Sequence, residues 1–99
     1  MQYIFDWDPQ KESRNIRKHN VAFSHAAKVF RDPRHLTIYD EDHSEDEERW
    51  VTLGIGEAGL LIVVVHTYEQ NDQDKVSIRM ISARKAVPVE AALYRKENQ

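Results

Sequence analysis

Apolar and polar positions change rhythm along this chain of 99 residues. Phe23, Ala26, Ala27 and Phe30 recur at i, i+3, i+4 and i+7, the spacing that puts one apolar stripe on a helix. Ser24 is placed to cap this helix. Asp32-Pro33 ends it, because proline pushes the residue before it out of helical backbone. From Leu36 onward, period-two alternation and β-branched runs take over and predict four strands, Leu36 to Tyr39, Arg49 to Ile55, Leu60 to Glu69 and Lys75 to Ala83. Gly56-Glu57-Ala58-Gly59 and Gln70 to Asp74 are the turns joining the last three. Two successive hairpins predict an antiparallel sheet, with the third strand, apolar all round, at its centre.

The flanks of this pattern are helical. Asp8-Pro9 reads as an N-cap followed by proline in the first turn, and Asn20 as a left-handed helix end. The helix between them has Ile16 as its sole apolar residue, so Phe5, Trp7 and Val21 at its ends are expected to hold it while its basic surface stays wet. Phe5-Asp6-Trp7 before it reads as a short extended entry. Pro88 and Glu90 open a last helix, Val89 to Lys96, with Val89, Ala92 and Leu93 on one face. Two helices, four strands and a helix give an α+β fold, expected to form a single domain over residues 1–99.

Composition narrows the compartment and the chemistry. The chain has no cysteine, which excludes disulfides and thiolate metal sites. The N-terminal stretch turns charged at Asp6 and shows no signal-like apolar core, and the apolar run Gly59 to Val65 is too short to cross a bilayer. A cytoplasmic protein with no membrane association is the expectation. The formal charge of -3 hides an asymmetry. Asp40 to Glu48, DEDHSEDEE, carries 7 of the 17 acidic residues, leaving 10 acids against 14 bases elsewhere. A solvated loop is the ordinary reading of such a run; the surface around it is mildly basic.

Candidate chemistry concentrates on the sheet. Arg79 interrupts the apolar pattern of the fourth strand, sharing a face with Ser77 and Ile81. It reads either as half of a structural ion pair with Glu48 or Glu69, or as an anion site whose planar fork matches phosphate. Arg49 opens the second strand, and Arg84-Lys85 follow the fourth. His66 and Tyr68 share a face at the end of the third strand, the first able to move protons near neutral pH, the second able to stack on a base. Arg14, Arg17, Lys18 and His19 form a basic helix end suited to RNA phosphates, to an acidic partner, or simply to solubility. The histidines show no metal-binding spacing, although His43 among carboxylates offers a weak cation site, and no metal or other cofactor is expected. No Gly-rich phosphate loop or catalytic triad signature occurs, and no helix-turn-helix reader of duplex DNA.

Three segments resemble the BrnT toxins of bacterial type II toxin–antitoxin pairs. They are FDWDPQKESRNIRKHNVAFSHAAKVFRDP from Phe5 to Pro33, DHSEDEERWVTLGIG from Asp42 to Gly56, and the pairing of VVVHTYE, Val63 to Glu69, with IRMISARKA, Ile78 to Ala86. Together they span most of the chain. The resemblance implies a RelE-like fold and metal-independent endoribonuclease activity. It also implies neutralisation by a BrnA-type antitoxin, usually in a two-plus-two complex in which the antitoxin alone meets DNA. It makes the acidic stretch His43 to Arg49 a family feature. The cleavage expected of such an enzyme is attack of the RNA 2′-hydroxyl on the adjacent phosphorus. Arg79 and Arg49 would stabilise charge, His66 or Glu48 would act as base, Tyr68 would stack on a base, and Lys18 and Arg84 would position the backbone.

One departure favours a second expectation. Many BrnT members carry an arginine just after the threonine of the third strand, where this chain has Tyr68-Glu69-Gln70. A chain lacking it would suit a catalytically inactive module that binds its antitoxin and serves as co-repressor.

Overall fold

A computed structural model describes residues 2–98. The elements in chain order are β1 (Gln2–Asp6), α1 (Pro9–His19), α2 (Phe23–Ala26) continued by a 3₁₀ turn, β2 (Leu36–Tyr39), β3 (Trp50–Ile55), β4 (Leu61–His66), β5 (Glu69–Gln70), β6 (Lys75–Lys85) and α3 (Pro88–Glu97). The sheet order is β1-β6-β4-β3-β2, with the short β5 also on β6. The α+β class and the central place of the third predicted strand, β4, agree with the sequence pattern. The strand count does not. The entry around Phe5 is itself a strand, β1, which pairs in parallel with β6, Phe5 opposite Ile78 and Asp6 opposite Arg79. The third predicted strand is interrupted at Thr67-Tyr68, so β5 stands apart from β4.

The core lies between one sheet face and the N-terminal helical layer. Phe23, Ala26, Val29 and Phe30 pack on Ile62, Val64, Val76, Ile78, Met80 and Ala83. On β6 the buried positions run 76, 78, 80 and then 83 because a bulge breaks the alternation. Val65 pairs with Ser82 while His66 pairs with Met80, which leaves Ile81 as the extra residue. The bulge keeps both Met80 and Ala83 in the core, while Arg79, between buried Ile78 and Met80, faces the other side of the sheet. Phe30 continues as the last core residue of the helical layer, but Ala27–Arg31 is wound as a 3₁₀ turn and not as the α-helix that the apolar spacing predicts.

α1 has both predicted ends. Asp8 accepts from the Gln10 N–H at 2.8 Å, Pro9 fills the first turn, and Asn20 sits at φ 58°. At its ends Val21 is buried and Phe5 and Trp7 pack against the core, while Ile16 is exposed. Asn15 is buried, and its Nδ2 donates to the carbonyls of Val21 and Ala83, both at 2.8 Å, while its Oδ1 accepts from the Ala83 N–H at 3.0 Å. β1 ends level with Arg79, so Ala83 has no strand on that side; the Asn15 amide takes the place of one. Each of those buried backbone groups, left unpaired, would cost about 1–3 kcal/mol. The second helix is capped from outside: Glu12 of α1 accepts from the Phe23 N–H at 2.8 Å, a task the sequence pattern assigns to Ser24. Asp32 ties three elements together, accepting from the Arg34 N–H at 2.9 Å, the Ile55 N–H at 2.9 Å and the Tyr94 hydroxyl at 2.5 Å.

Candidate RNA-cleavage site

The acidic segment between β2 and β3 begins with a 3₁₀ turn, Glu41–His43, and folds back on itself. The Asp40 N–H donates to the Arg49 carbonyl at 2.9 Å, and Ser44 Oγ both donates to the Asp40 carbonyl and accepts from the Arg49 N–H. This closure carries Glu47 across to β6, where its carboxylate is paired with the Arg79 guanidinium. That hydrogen bond holds the Glu47 carboxyl below its usual range, helped by the charges of Arg79, Arg49 and Lys11 against a smaller opposing desolvation. Glu47 is thus paired with Arg79, far from it in sequence, and Arg49 adds a weaker charge effect on the same carboxylate. Arg49 Nε is buried without a hydrogen-bond partner among the described residues.

Arg79 is anchored through its backbone. Its N–H donates to Thr67 Oγ1 at 3.1 Å, and its carbonyl accepts from the Thr67 N–H at 3.0 Å. The side chain is left 43% exposed, open to an anion. Beyond β1, α1 lays Lys11, Arg14, Lys18 and His19 beside Ile81 and Ser82 around a cavity of about 350 Å³. Lys18 thus faces the strand that carries Arg79. Tyr68 is exposed and tilted against Trp50, with ring centroids 6.1 Å apart.

Three of the expected roles need correction. His66 is fully buried, edge-on to Phe30 at 4.9 Å, with Nε2 2.7 Å from Thr52 Oγ1 and Nδ1 2.7 Å from the Thr67 carbonyl. The carbonyl can only accept, so Nδ1 carries the proton and Nε2 accepts from Thr52. Burial lowers its pKa to about 4, against a smaller raising effect of the Thr67 carbonyl. It is a buried imidazole whose bond to the Thr67 carbonyl helps fix Thr67 against the Arg79 backbone. Glu48 is exposed and makes no hydrogen bond or ion pair among the described residues; the carboxylate that meets Arg79 is its neighbour Glu47, and neither Glu48 nor Glu69 is the partner. Arg84 is occupied. Its Nη1 and Nη2 donate to the two carboxylate oxygens of Glu90, each at 2.8 Å, while Glu90 also accepts from the Val87 N–H. It ties β6 to α3 through this two-pronged ion pair.

The buried imidazole makes stability depend on pH. Between its unfolded value near 6.5 and its folded value of about 4, the unfolded chain binds a proton that the folded chain does not. Stability is therefore complete above pH 6.5 and is lost as the pH falls through that window, by roughly 3 kcal/mol at its lower end. In urea titrations the unfolding free energy of the parent should fall between pH 7 and 5, and that of His66→Gln should fall much less. Equal falls would assign the loss to other groups.

Among the described residues no group of three or more histidines or carboxylates is arranged to hold a metal ion. No helix there is long and apolar enough to cross a membrane.

A search of curated proteins gave no match. The crystal structure of the Brucella abortus ribonuclease toxin BrnT superposes with a TM-score of 0.61 at 21% identity, covering 88% of this chain and 99% of that one. At that identity the likeness speaks for the fold. A family model, the ribonuclease toxin BrnT of type II toxin–antitoxin systems, matches residues 7–90. That stretch runs from α1 to α3 and takes in Glu47, Arg49, Thr67 and Arg79, and so the chain belongs to the BrnT family of type II ribonuclease toxins.

Proposed function

We propose that this protein is the toxin of a type II pair and cleaves RNA without a metal ion at the Glu47–Arg49–Arg79 cluster. The observation that carries the reading is the meeting of Arg79 and Glu47, with Arg49 and Lys11 close enough to act on the same carboxylate. A phosphodiester on the guanidinium of Arg79 would sit beside a carboxylate able to take the proton of the 2′-hydroxyl. The 2′-oxygen attacks phosphorus, the bond to the 5′-oxygen breaks, and that oxygen takes up a proton. The products are a 2′,3′-cyclic phosphate and a 5′-hydroxyl. Arg79 and Arg49 stabilise the charge gained by the phosphorane, and Lys18 with its α1 neighbours guides the RNA backbone. A BrnA-like antitoxin in a two-plus-two complex, itself supplying the contact with DNA, and a RelE-like classification of the fold belong to the same reading.

Incubation of the purified chain with a structured RNA in excess EDTA tests it. Cleavage leaving cyclic phosphate and 5′-hydroxyl ends is the expected result. Failure of a folded chain to cleave, with and without ribosomes, would overturn it.

That failure would favour the second reading, an inactive antitoxin-binding co-repressor. Glu69 and Gln70, in place of the arginine that the family resemblance leads one to expect, form β5 opposite Ser77 and Val76. An acidic side chain thus stands beside the anion site.

A further inference from the structure

One basic residue of α1 stands where helix stability would not place it. Asp8 is the N-cap and Pro9 the first helical residue, so Lys11 falls third, inside the first turn. The helix dipole favours an anion there, and a capping box would set Glu or Gln at this position. Lys11 is exposed and enters no ion pair among the described residues. Two features of the fold bring it to the cleavage cluster. The register of β1 on β6 sets Asp6 level with Arg79, and the chain enters α1 at Pro9, just beyond. Lys11 also lines the cavity of about 350 Å³ with Ile81 and Ser82, which follow Arg79 on β6. Ser82, paired with Val65, and Arg79, between buried Ile78 and Met80, both face away from the helical layer. The charge of Lys11 acts on Glu47 across this space.

The cleavage proposed above leaves the source of one proton unassigned. As the bond from phosphorus to the 5′-oxygen breaks, its electron pair stays on that oxygen, and a positioned acid is needed to protonate it. The arginines do not release their protons. His66 is buried on the helical-layer face, and Tyr68 leans on Trp50, the register partner of His66. Lys18 and His19 lie farther along α1 than Lys11, by about 10–12 Å of helix axis. Lys75 stands about 13 Å from Arg79 along the strand. We propose that Lys11 is the general acid of the cleavage, its ammonium protonating the 5′-oxygen as the bond to phosphorus breaks. This rests on the Glu47–Arg49–Arg79 cluster being the cleavage site. Glu47 gains the proton of the 2′-hydroxyl and Lys11 loses one to the leaving oxygen, so exchange of one proton through solvent restores both groups.

The test compares two short oligoribonucleotides in EDTA, one with an ordinary scissile linkage and one with sulfur in place of its bridging 5′-oxygen. A thiol is far more acidic than an alcohol, so the thiolate leaves without a proton. Lys11→Ala and Lys11→Gln should slow cleavage of the oxygen strand by about 10²–10⁴ and leave that of the sulfur strand nearly unchanged. Lys11→Arg should also be slow on the oxygen strand, because a guanidinium keeps the charge and holds its proton. Cleavage of the sulfur strand shows that each variant is folded. Arg79→Ala should slow both strands alike. Equal losses on both strands in the Lys11 variants would make Lys11 a phosphate contact and overturn the assignment, and so would full activity of Lys11→Ala on the oxygen strand. If the parent cuts neither strand, or Arg79→Ala cuts both at full speed, the cleavage site itself falls and the acid with it.

Discussion

Replacing Arg79 with alanine is expected to slow RNA cleavage by roughly 10²–10³, the loss typical of removing one donor aimed at charge that develops in the transition state. The substitution is well suited to a clean measurement. The side chain is 43% exposed and its ion pair is with a carboxylate on a surface loop, so the pair adds little to stability. The backbone bonds to Thr67 that hold the strand end do not involve the guanidinium. A loss of rate with an unchanged denaturation midpoint is therefore the expected pattern. Arg79→Lys should fall between, because a lysine keeps the charge and gives up the planar fork. Full activity from a folded Arg79→Ala protein would remove this residue, and the mechanism built on it, from consideration.

How much of this was legible in the sequence depends on how local each signal is. Asp8-Pro9 and Asn20 mark both ends of α1 because caps act within one turn of their own residue, and those ends appear in the structure as predicted. β2 also matches residue for residue. β1 was not legible as a strand. Gln2–Asp6 is short, and what makes it a strand is a parallel partner, Lys75–Arg79, that lies most of the chain away. Asn15 shows a related limit. A helix with one apolar residue needs another way to be held, and the sequence suggested the neighbouring aromatics. Val21, Phe5 and Trp7 do pack at its ends, and the structure adds an amide that takes the place of a strand edge at Ala83, which only the sheet order reveals.

Within the proposed site, Arg79 stood out in the sequence and the carboxylate it meets did not. Arg79 stands out because it breaks an apolar alternation, and a break in a regular pattern is visible in one dimension. Glu47 and Glu48 lie in an irregular acidic run, where no periodicity says which side chain turns toward β6. His66 shares a strand with the buried Ile62 and Val64 and faces the same way. Its side of the sheet is covered by Phe30, so a residue chosen for its chemistry turns out to be chosen for its packing. Arg84 was drawn away by Glu90, six residues on, in a helix start whose capping carboxylate the sequence did show.

Replacing Glu47 with glutamine separates two roles that the same ion pair allows, because they predict effects of opposite sign. If Glu47 only occupies the anion site, removing its charge frees Arg79 and raises affinity and rate. If it is the base, the rate falls by about 10²–10⁴, and that is the expected outcome. The free enzyme holds this carboxyl below its ordinary range through Arg79, which makes it a weak base until substrate arrives. A bound phosphodiester takes a share of the guanidinium and places a negative charge beside the carboxylate, and both effects raise its pKa. On this reading, binding would turn a resting counter-ion into a better proton acceptor at the moment one is needed. The pH profiles should carry the mark of this. The acid limb of kcat/KM reports the free enzyme, and the acid limb of kcat reports the complex. The second should therefore lie at higher pH than the first, and both should flatten in Glu47→Gln. A glutamine variant as active as the parent, or limbs that coincide, would show that Glu47 merely covers the site.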